Sequence, residues 1–320
     1  MFETPRATLN FPAMPVSPAE PTKSLPEALK RFLKRVLREQ KLVQESFAPE
    51  AIHDLRVALR RCRSLAEGLS TLDDSREWKR LQRRAKDLQD ELADLRDVHV
   101  WKQRVRRLRL LQEPAGQTIQ EALRQDERKA HRRAKRAMEK FSRKKWKKWL
   151  RRLPKRAAEL DLQTRVFAQL ALQRIQEVGA REHRWQESGS ESAAHRTRIA
   201  VKQFRYTVQS LLPAQYSAWE KNLRRIQDAL GDLHDLDLLR DWLRKVARRA
   251  SLEHAAVQLW MKRIAEARRD CVERYRRAVT MKRHRGPAES SNVVVVWDGW
   301  REELEALASV NYPGGAKVLE

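Results

Sequence analysis

The chain has 320 residues, 41% hydrophobic and 35% charged, and its 69 Lys and Arg against 43 Asp and Glu give a formal net charge of +26. No run approaches the 18 or more apolar residues of a membrane span. The N-terminus lacks the basic start and apolar stretch of a secretory signal, and two cysteines, Cys62 and Cys271, make neither a disulfide framework nor a zinc knuckle. The expectation is a soluble cytoplasmic protein with a polyanionic partner: nucleic acid on base rates, with anionic membrane and polymeric phosphate behind it.

Residues 1–26 hold six of the twelve prolines and are expected to form a flexible leader. Helical structure should begin at SLPEALKRFLKRVL, where Ser24 and Glu27 have capping-box spacing. From there to about residue 285, Gly and Pro serve as punctuation, as at Pro49, Gly68, Pro114, Pro154, Gly189 and Pro213. Between them apolar residues recur every three or four positions, so the fold class is all-α, with roughly eight helices. From Glu127 to Arg156, sixteen Lys and Arg meet two Glu. Trp146, Trp149, Leu150 and Leu153, at i, i+3, i+4 and i+7, make this stretch a packed helix with a cationic outer side. Past Pro287, SSNVVVVWDGW suits a short strand or an extended segment, and a short helix at Arg301–Ala308 follows. Residues 287–320 are read as a C-terminal tail without an assigned function.

The chain repeats itself. HDLRVALRRCR at 53–63 matches HRTRIAVKQFR at 195–205, displaced by 142, and LQDELADLRDVHV at 88–100 matches IQDALGDLHDLDL at 226–238, displaced by 138. Two homologous halves, near 27–158 and 159–286, are expected as similar helical bundles facing each other about a pseudo-twofold axis.

Within the first pair, His53, Arg56, Arg60 and Arg63 fall at i, i+3, i+7 and i+10 and span about 80° of a helix. Leu59, Cys62, Ala66 and Leu69 form a separate apolar stripe. His195, Arg198, Lys202 and Arg205 repeat the cationic row, and Val201, Phe204, Val208 and Leu211 the apolar one. A single row of this kind is most simply a solvated face. A row kept in register twice, with histidine in it, points to repeated phosphates: arginine grips phosphate oxygens in pairs, and a histidine beside a polyanion gains a proton. Such groups hold phosphates and do not by themselves break them.

The second pair brings Asp90, Asp94 and Asp97, then Asp228, Asp232 and Asp235. His53-Asp54 and His234-Asp235 spell the HD dipeptide of helical metal phosphohydrolases. Against a duplicated metal site, however, Arg96 stands where the second half has His234, and Arg196 where the first has Asp54. Acids that pair with the arginines explain the pattern better, and no metal, cofactor or catalytic residue is expected. No HExxH, GxSxG, phosphate-cradling GxxxxGKS/T or CxxC motif is present. His99, His131, His183, His254 and His284 read as surface or core-edge residues, and the cysteines as packing thiols. Trp146 and Trp149 could stack on bases, but at helical spacing they are more simply core.

HDLRVALRR with Arg63, HRTRIAVKQFRY and the paired LADLRD and LGDLHD segments resemble the CHAD domain, the conserved histidine α-helical domain, over roughly residues 27–286. The resemblance implies two four-helix bundles related by pseudo-twofold symmetry around a basic groove or pore. It also implies binding of inorganic polyphosphate and location at polyphosphate granules. Carried over by position, the phosphate-facing residues are His53, Arg56, Arg60, Arg63, His195, Arg198, Lys202 and Arg205. Arg61, and Arg128, Arg132 and Arg269 on the basic fourth helix of each half, are weaker candidates. Ala93 departs from a glycine that the second half keeps as Gly231, which touches a local helix junction, and Gln203 replaces a base kept as Arg61. Many CHAD domains follow a triphosphate-tunnel enzyme domain with an ExExK signature. Its absence here and the short leader lead to the expectation of a stand-alone, non-catalytic binder. Nonspecific nucleic-acid binding is the alternative, and an HD phosphohydrolase a distant third.

Overall fold

The structure is a computed structural model that describes residues 25–112, 115–160, 164–283 and 292–309. It is all-α apart from one short hairpin. The first half contains α1 (Leu25–Ser46), α2 (Pro49–Leu69), α3 (Arg76–Glu91), α4 (Ala93–Arg107), a 3-10 turn at Leu110–Gln112, α5 (Gly116–Glu139) and α6 (Arg143–Glu159). The second contains α7 (Thr164–Ser188), α8 (Glu191–Leu211), α9 (Pro213–Arg249), α10 (His254–Val279), strands β1 (Thr280–Arg283) and β2 (Asn292–Val295), and α11 (Val296–Ser309). The strands pair antiparallel, with Thr280 opposite Val295 and Arg283 opposite Asn292. The leader through Ser24, including its proposed cap, lies outside the described residues; Pro26 sits in the first turn of α1, where its missing N–H costs nothing.

The described helices number eleven where roughly eight were expected, for local reasons. The basic stretch is two helices, because α5 ends at Glu139 and Ser142 caps α6 by accepting from the Lys145 N–H at 3.4 Å. Pro154, read as a stop, lies inside α6, which runs on to Glu159. A turn at Leu92 separates α3 from α4, whereas Gly231 lies inside the unbroken α9, so the departure at Ala93 does fall at a junction. α11 begins five residues before the expected start. Its Val296, Trp297, Trp300 and Leu304 are buried on the side facing α7, while the rest of the valine run, Val293–Val295, lies in the short strand β2 that the sequence suited. The segment read as a tail therefore closes the second core.

The order of packing recurs. α1 packs on α2, α2 on α3 and α4 on α5, as α7 packs on α8, α8 on α9 and α9 on α10; α6 then lies on α1 as α11 lies on α7. The backbone joints recur as well. Phe47 and Gly189, 142 residues apart, both have positive φ (50° and 60°) between the first and second helices, and Arg109 and Ser251, again 142 apart, share φ near 50°. Glycine takes this conformation without strain; Phe47, Arg109 and Ser251 do not.

The buried apolar residues form two cores. One holds α1, α2, α3, Leu95 of α4, the Ala130–Met138 part of α5, and α6. The other holds α7 to α11 together with Val98 and Val105 of α4 and Ile119 and Leu123 of α5. α4 and α5 thus tie the two cores together, and Trp101 of α4 stacks on Trp242 of α9 at 5.1 Å. Trp146 and Trp149 are 4% and 6% exposed and belong to the first core, which removes them as base-stacking groups. No described helix is long and apolar enough to cross a membrane.

Candidate polyanion-binding cavity

Where α2 and α4 face α8 and α9, they enclose a cavity of about 1010 Å³ that the C-terminal part of α10 completes. The apolar stripes place the cationic rows. Leu59, Cys62, Ala66 and Leu69 are buried in one core, and Val201, Phe204 and Val208 in the other. The edges that remain turn toward the space between the halves. The structure puts His53, Arg56, Arg60, Arg61 and Arg63 of α2 and His195, Arg198, Lys202 and Arg205 of α8 on the cavity wall.

Arg128, Arg132 and Arg269 do not join them; all three are exposed and outside the cavity. Helical phase is the reason. Arg128 and Arg132 each lie about 200° around α5 from the buried Ala130, and Arg269 the same angle from the buried Cys271 of α10. The inward side of α10 supplies Arg274 and Arg277 instead.

Several cavity residues were missed in the sequence. Gln89 accepts from Arg63 Nη1 at 3.3 Å, donates to the Arg56 carbonyl at 3.1 Å, and accepts from Arg56 at its own carbonyl. Gln227, 138 residues on, accepts from Arg205. This glutamine is repeated inside the duplicated LQD and IQD segments, so its signal was present beside the aspartates that drew attention. Arg60 donates from Nη1 to Tyr206 Oη at 3.0 Å, joining α2 to α8. Burial pushes the Tyr206 phenol up, and Arg60 and Arg205 more than reverse this, leaving it below its usual value.

The acids act mainly as partners for arginine. Asp232 accepts from Arg104 and, at 2.9 Å, from Arg274; Asp235 lies 3.5 Å from Arg104. Asp94 pairs with Arg133 and Asp90 with Lys86, both at exposed sites. Asp97 makes no ion pair with a described residue; burial raises its carboxyl to about 6, with Asp235 adding to the effect and Arg56 opposing it. The HD pairs split: Asp54 turns to Arg35 at 3.6 Å while His53 faces the cavity, and His234 meets His195 with Nδ1 to Nδ1 at 3.2 Å. Among the described residues no group of three or more His, Cys, Asp or Glu has a metal-holding arrangement.

Thirteen Arg and Lys line the cavity against six Asp and Glu. Burial and crowding of like charge lower several of these bases. Burial, then Arg96 and Arg60, lowers His53 to about 3; burial, then Arg198 and His195, lowers His234 to about 3. Burial and the neighbouring Arg198 and Lys202 lower His195 as well. Lys202 is held well below the usual amine value by burial, Arg198 and Arg60, and Arg56 is brought down to about 10 by burial and Arg60. Four arginine donors on this wall, Arg61 Nε, Arg96 Nη1, Arg198 Nε and Arg205 Nε, are buried with no hydrogen-bond partner among the described residues. Each such donor costs on the order of 1–3 kcal/mol, so the site is rich in unsatisfied positive donors.

Comparison with known proteins places this architecture. The CHAD domain model matches residues 27–244. The chain belongs to the CHAD family. Two solved structures share the fold. PptA from Streptomyces chartreusis matches with a TM-score of 0.60 and 17% identity, over 79% of this chain and 97% of that one. The CHAD domain from the plant Ricinus communis matches with a TM-score of 0.56 and 22% identity, over 90% and 94%. A search of curated proteins gives no match. The CHAD match ends inside α9, short of the 286 expected, although α10 still adds Arg274 and Arg277 to the cavity.

Proposed function

We propose that this CHAD domain binds inorganic polyphosphate in the cavity between α2 and α8, as a cytoplasmic, non-catalytic module associated with polyphosphate granules. The observation that carries the reading is the pair of facing rows, His53 to Arg63 and His195 to Arg205, on opposite walls of one cavity, with buried donors left unpaired. A narrow polyanion of repeating phosphates meets both rows at once. The cavity volume equals that of a sphere about 12 Å across, no wider than the roughly 12 Å of a DNA major groove alone, so a duplex does not enter. Binding requires no chemical step: Arg and Lys replace the counterions of the chain, and affinity falls steeply with salt.

The test is calorimetric titration with long-chain polyphosphate at physiological salt, beside single-stranded RNA of matched charge. Tight binding of polyphosphate, at least about tenfold tighter than RNA, is expected. Arg56→Glu with Arg198→Glu should weaken polyphosphate binding by about 100-fold or more while circular dichroism shows unchanged helicity. Retained affinity in a folded double variant would overturn the reading, and so would equal affinity for RNA.

A further inference from the structure

α6 carries the densest charge in the protein, and none of it lines the cavity: nine Lys and Arg and one Glu in 17 residues. It lies on α1, which lies on α2, so it is on the far side of the first half from the cavity. Its packing uses Trp146, Trp149, Leu153 and Ala157, and its two end arginines are tied down. Arg143 donates to the Leu37 carbonyl at 3.0 Å and Arg156 to Asp73 at 2.6 and 2.8 Å. Lys144, Lys145, Lys147, Lys148, Arg151, Arg152 and Lys155 remain. All seven are exposed, and no side chain among them makes a hydrogen bond or ion pair with a described residue. At 100° per residue they occupy an arc of about 160° opposite the buried face.

The fold does not require this charge. α11 holds the corresponding position on α7 and has one Arg against four Asp and Glu in its 14 residues. A position that tolerates an acidic helix in one half bears an unpaired cationic row in the other.

The row's chemistry narrows its partner. Seven cations over about 16 Å, at 1.5 Å per residue, give roughly one charge per 3 Å, close to the 3.4 Å between phosphates on one strand of a duplex. A membrane-surface helix needs a free apolar face. That of α6 is in the core, and the large hydrophobics exposed among the described residues, Leu42 and Ile199, lie on other helices. Single-strand platforms need exposed aromatics for stacking, and Trp146 and Trp149 are buried. A convex exterior helix, unlike the cavity, is open to a wide, rigid polyanion.

We propose that the exposed face of α6 is a second binding surface, separate from the cavity, that takes the phosphate backbone of a nucleic-acid duplex without reading its sequence. The protein then has two polyanion sites on opposite sides of its first half, and one molecule can hold a duplex while the cavity is filled.

The experiment measures binding of a 30-base-pair DNA duplex by fluorescence anisotropy over a salt series, using the full chain. Lys144→Gln, Lys147→Gln, Arg151→Gln and Lys155→Gln combined should lower affinity at least tenfold at low salt. They should also flatten the slope of log K against log salt by about 3 to 4, at about 0.9 per phosphate contact. The control removes four exposed cations elsewhere, with Lys245→Gln, Arg248→Gln, Arg249→Gln and Lys262→Gln, and should change both quantities far less. Replacing the α6 lysines by arginine should keep duplex binding, and polyphosphate affinity should survive the α6 glutamine set. Equal losses from the α6 and control sets would overturn the proposal, because the net charge would then act as a whole. So would loss of duplex binding in the Arg56→Glu, Arg198→Glu protein, which would move the duplex to the cavity. Neither result bears on whether polyphosphate fills that cavity.

Discussion

In the cavity, the Arg104 side chain is 7% exposed and faces Asp232 at 14% and Asp235 at 27%. On α6, Lys144, Lys147 and Arg151 stand in solvent with no carboxylate in reach. Both regions are basic, but their cations obey different physics. Those in the cavity are held by glutamine, tyrosine and aspartate. Lys202, Arg56, Arg96 and Arg198 pay in depressed basicity for being buried among other cations, whereas burial of Arg104 is outweighed by the aspartates, which hold it above its usual value. Those on α6 are open to water, and salt screens them from charges more than a Debye length of about 8–10 Å away. The first set is positioned before any ligand arrives and can select by shape. The second only adds charge. The deepest contrast should be in stability. Arg104→Ala leaves Asp232 and Asp235 partly buried without their cross-half partner and should cost about 3–5 kcal/mol in urea unfolding. Lys147→Ala on α6 should change stability by less than about 0.5 kcal/mol. Adding Asp232→Asn to Arg104→Ala should recover part of the loss. If Arg104→Ala were as harmless as Lys147→Ala, the cavity pair would be no more than a surface contact.

The acids sharpen the comparison further, because the cavity has them and the α6 row does not. Asp235 sits among Arg60, Arg96, Arg198 and Lys202, whose charge states it influences, and it repels any anion entering there. Asp235→Asn should tighten polyphosphate binding about tenfold, roughly 1.4 kcal/mol at an effective dielectric near 20. The same change weakens the contact with Arg104 and should lower stability by about 1 kcal/mol. Affinity and stability moving in opposite directions would mark Asp235 as a positioning acid. Weaker polyphosphate binding in a folded variant would assign the carboxylate a role on the ligand's side.

The same contrast explains what the sequence made legible. The rows on α2 and α8 were readable because one helix fixes the phase of all its side chains, and the apolar stripe declares which edge is left. The duplication then set these rows, which line the cavity, apart from a merely solvated one. Arg96, Arg104 and Arg274 were not readable in this way. None belongs to a repeated cationic row, and the direction of each into the cavity depends on how α4, α9 and α10 cross, which is a matter of tertiary packing. The same limit applies to Arg128, Arg132 and Arg269, which were named by helix membership without its phase and lie outside the cavity. α11 was expected only from Arg301 and without its closing role, because the packing of Val296, Trp297 and Trp300 on α7, which starts the helix directly after β2, is a matter of tertiary structure. The two closing helices also show that position and charge are set independently.

Protons should give the smallest effect that still tells the two regions apart. His53 and His234, at about 3, are neutral at pH 7 in the free cavity, and Asp97 stands near 6. A bound polyanion offsets Arg96, Arg60, Arg198 and the other cations that hold the histidines down, so their pKa values rise, and that of Asp97 rises further. Binding must then take up protons, on the order of one per complex near pH 6. Polyphosphate affinity should increase about threefold from pH 7.5 to 6.5, and the heat of binding should vary with the ionisation enthalpy of the buffer. The free protein should behave in the opposite sense. With the histidines depressed in the folded state, the unfolded chain binds more protons below about pH 6.5, and stability is lost as pH falls from there toward 3. Asp97 opposes this between about 6 and 4, as do the carboxyls of Asp54, Asp228, Asp237 and Glu182 that burial raises, while the depressed His99 and His195 add to it. Polyphosphate should therefore protect the fold more at pH 5.5 than at 7.5. Duplex binding on α6, which has no histidine in its row, should show no buffer-dependent heat. A proton uptake equal for both ligands would mean that the titrating groups are not those of the cavity.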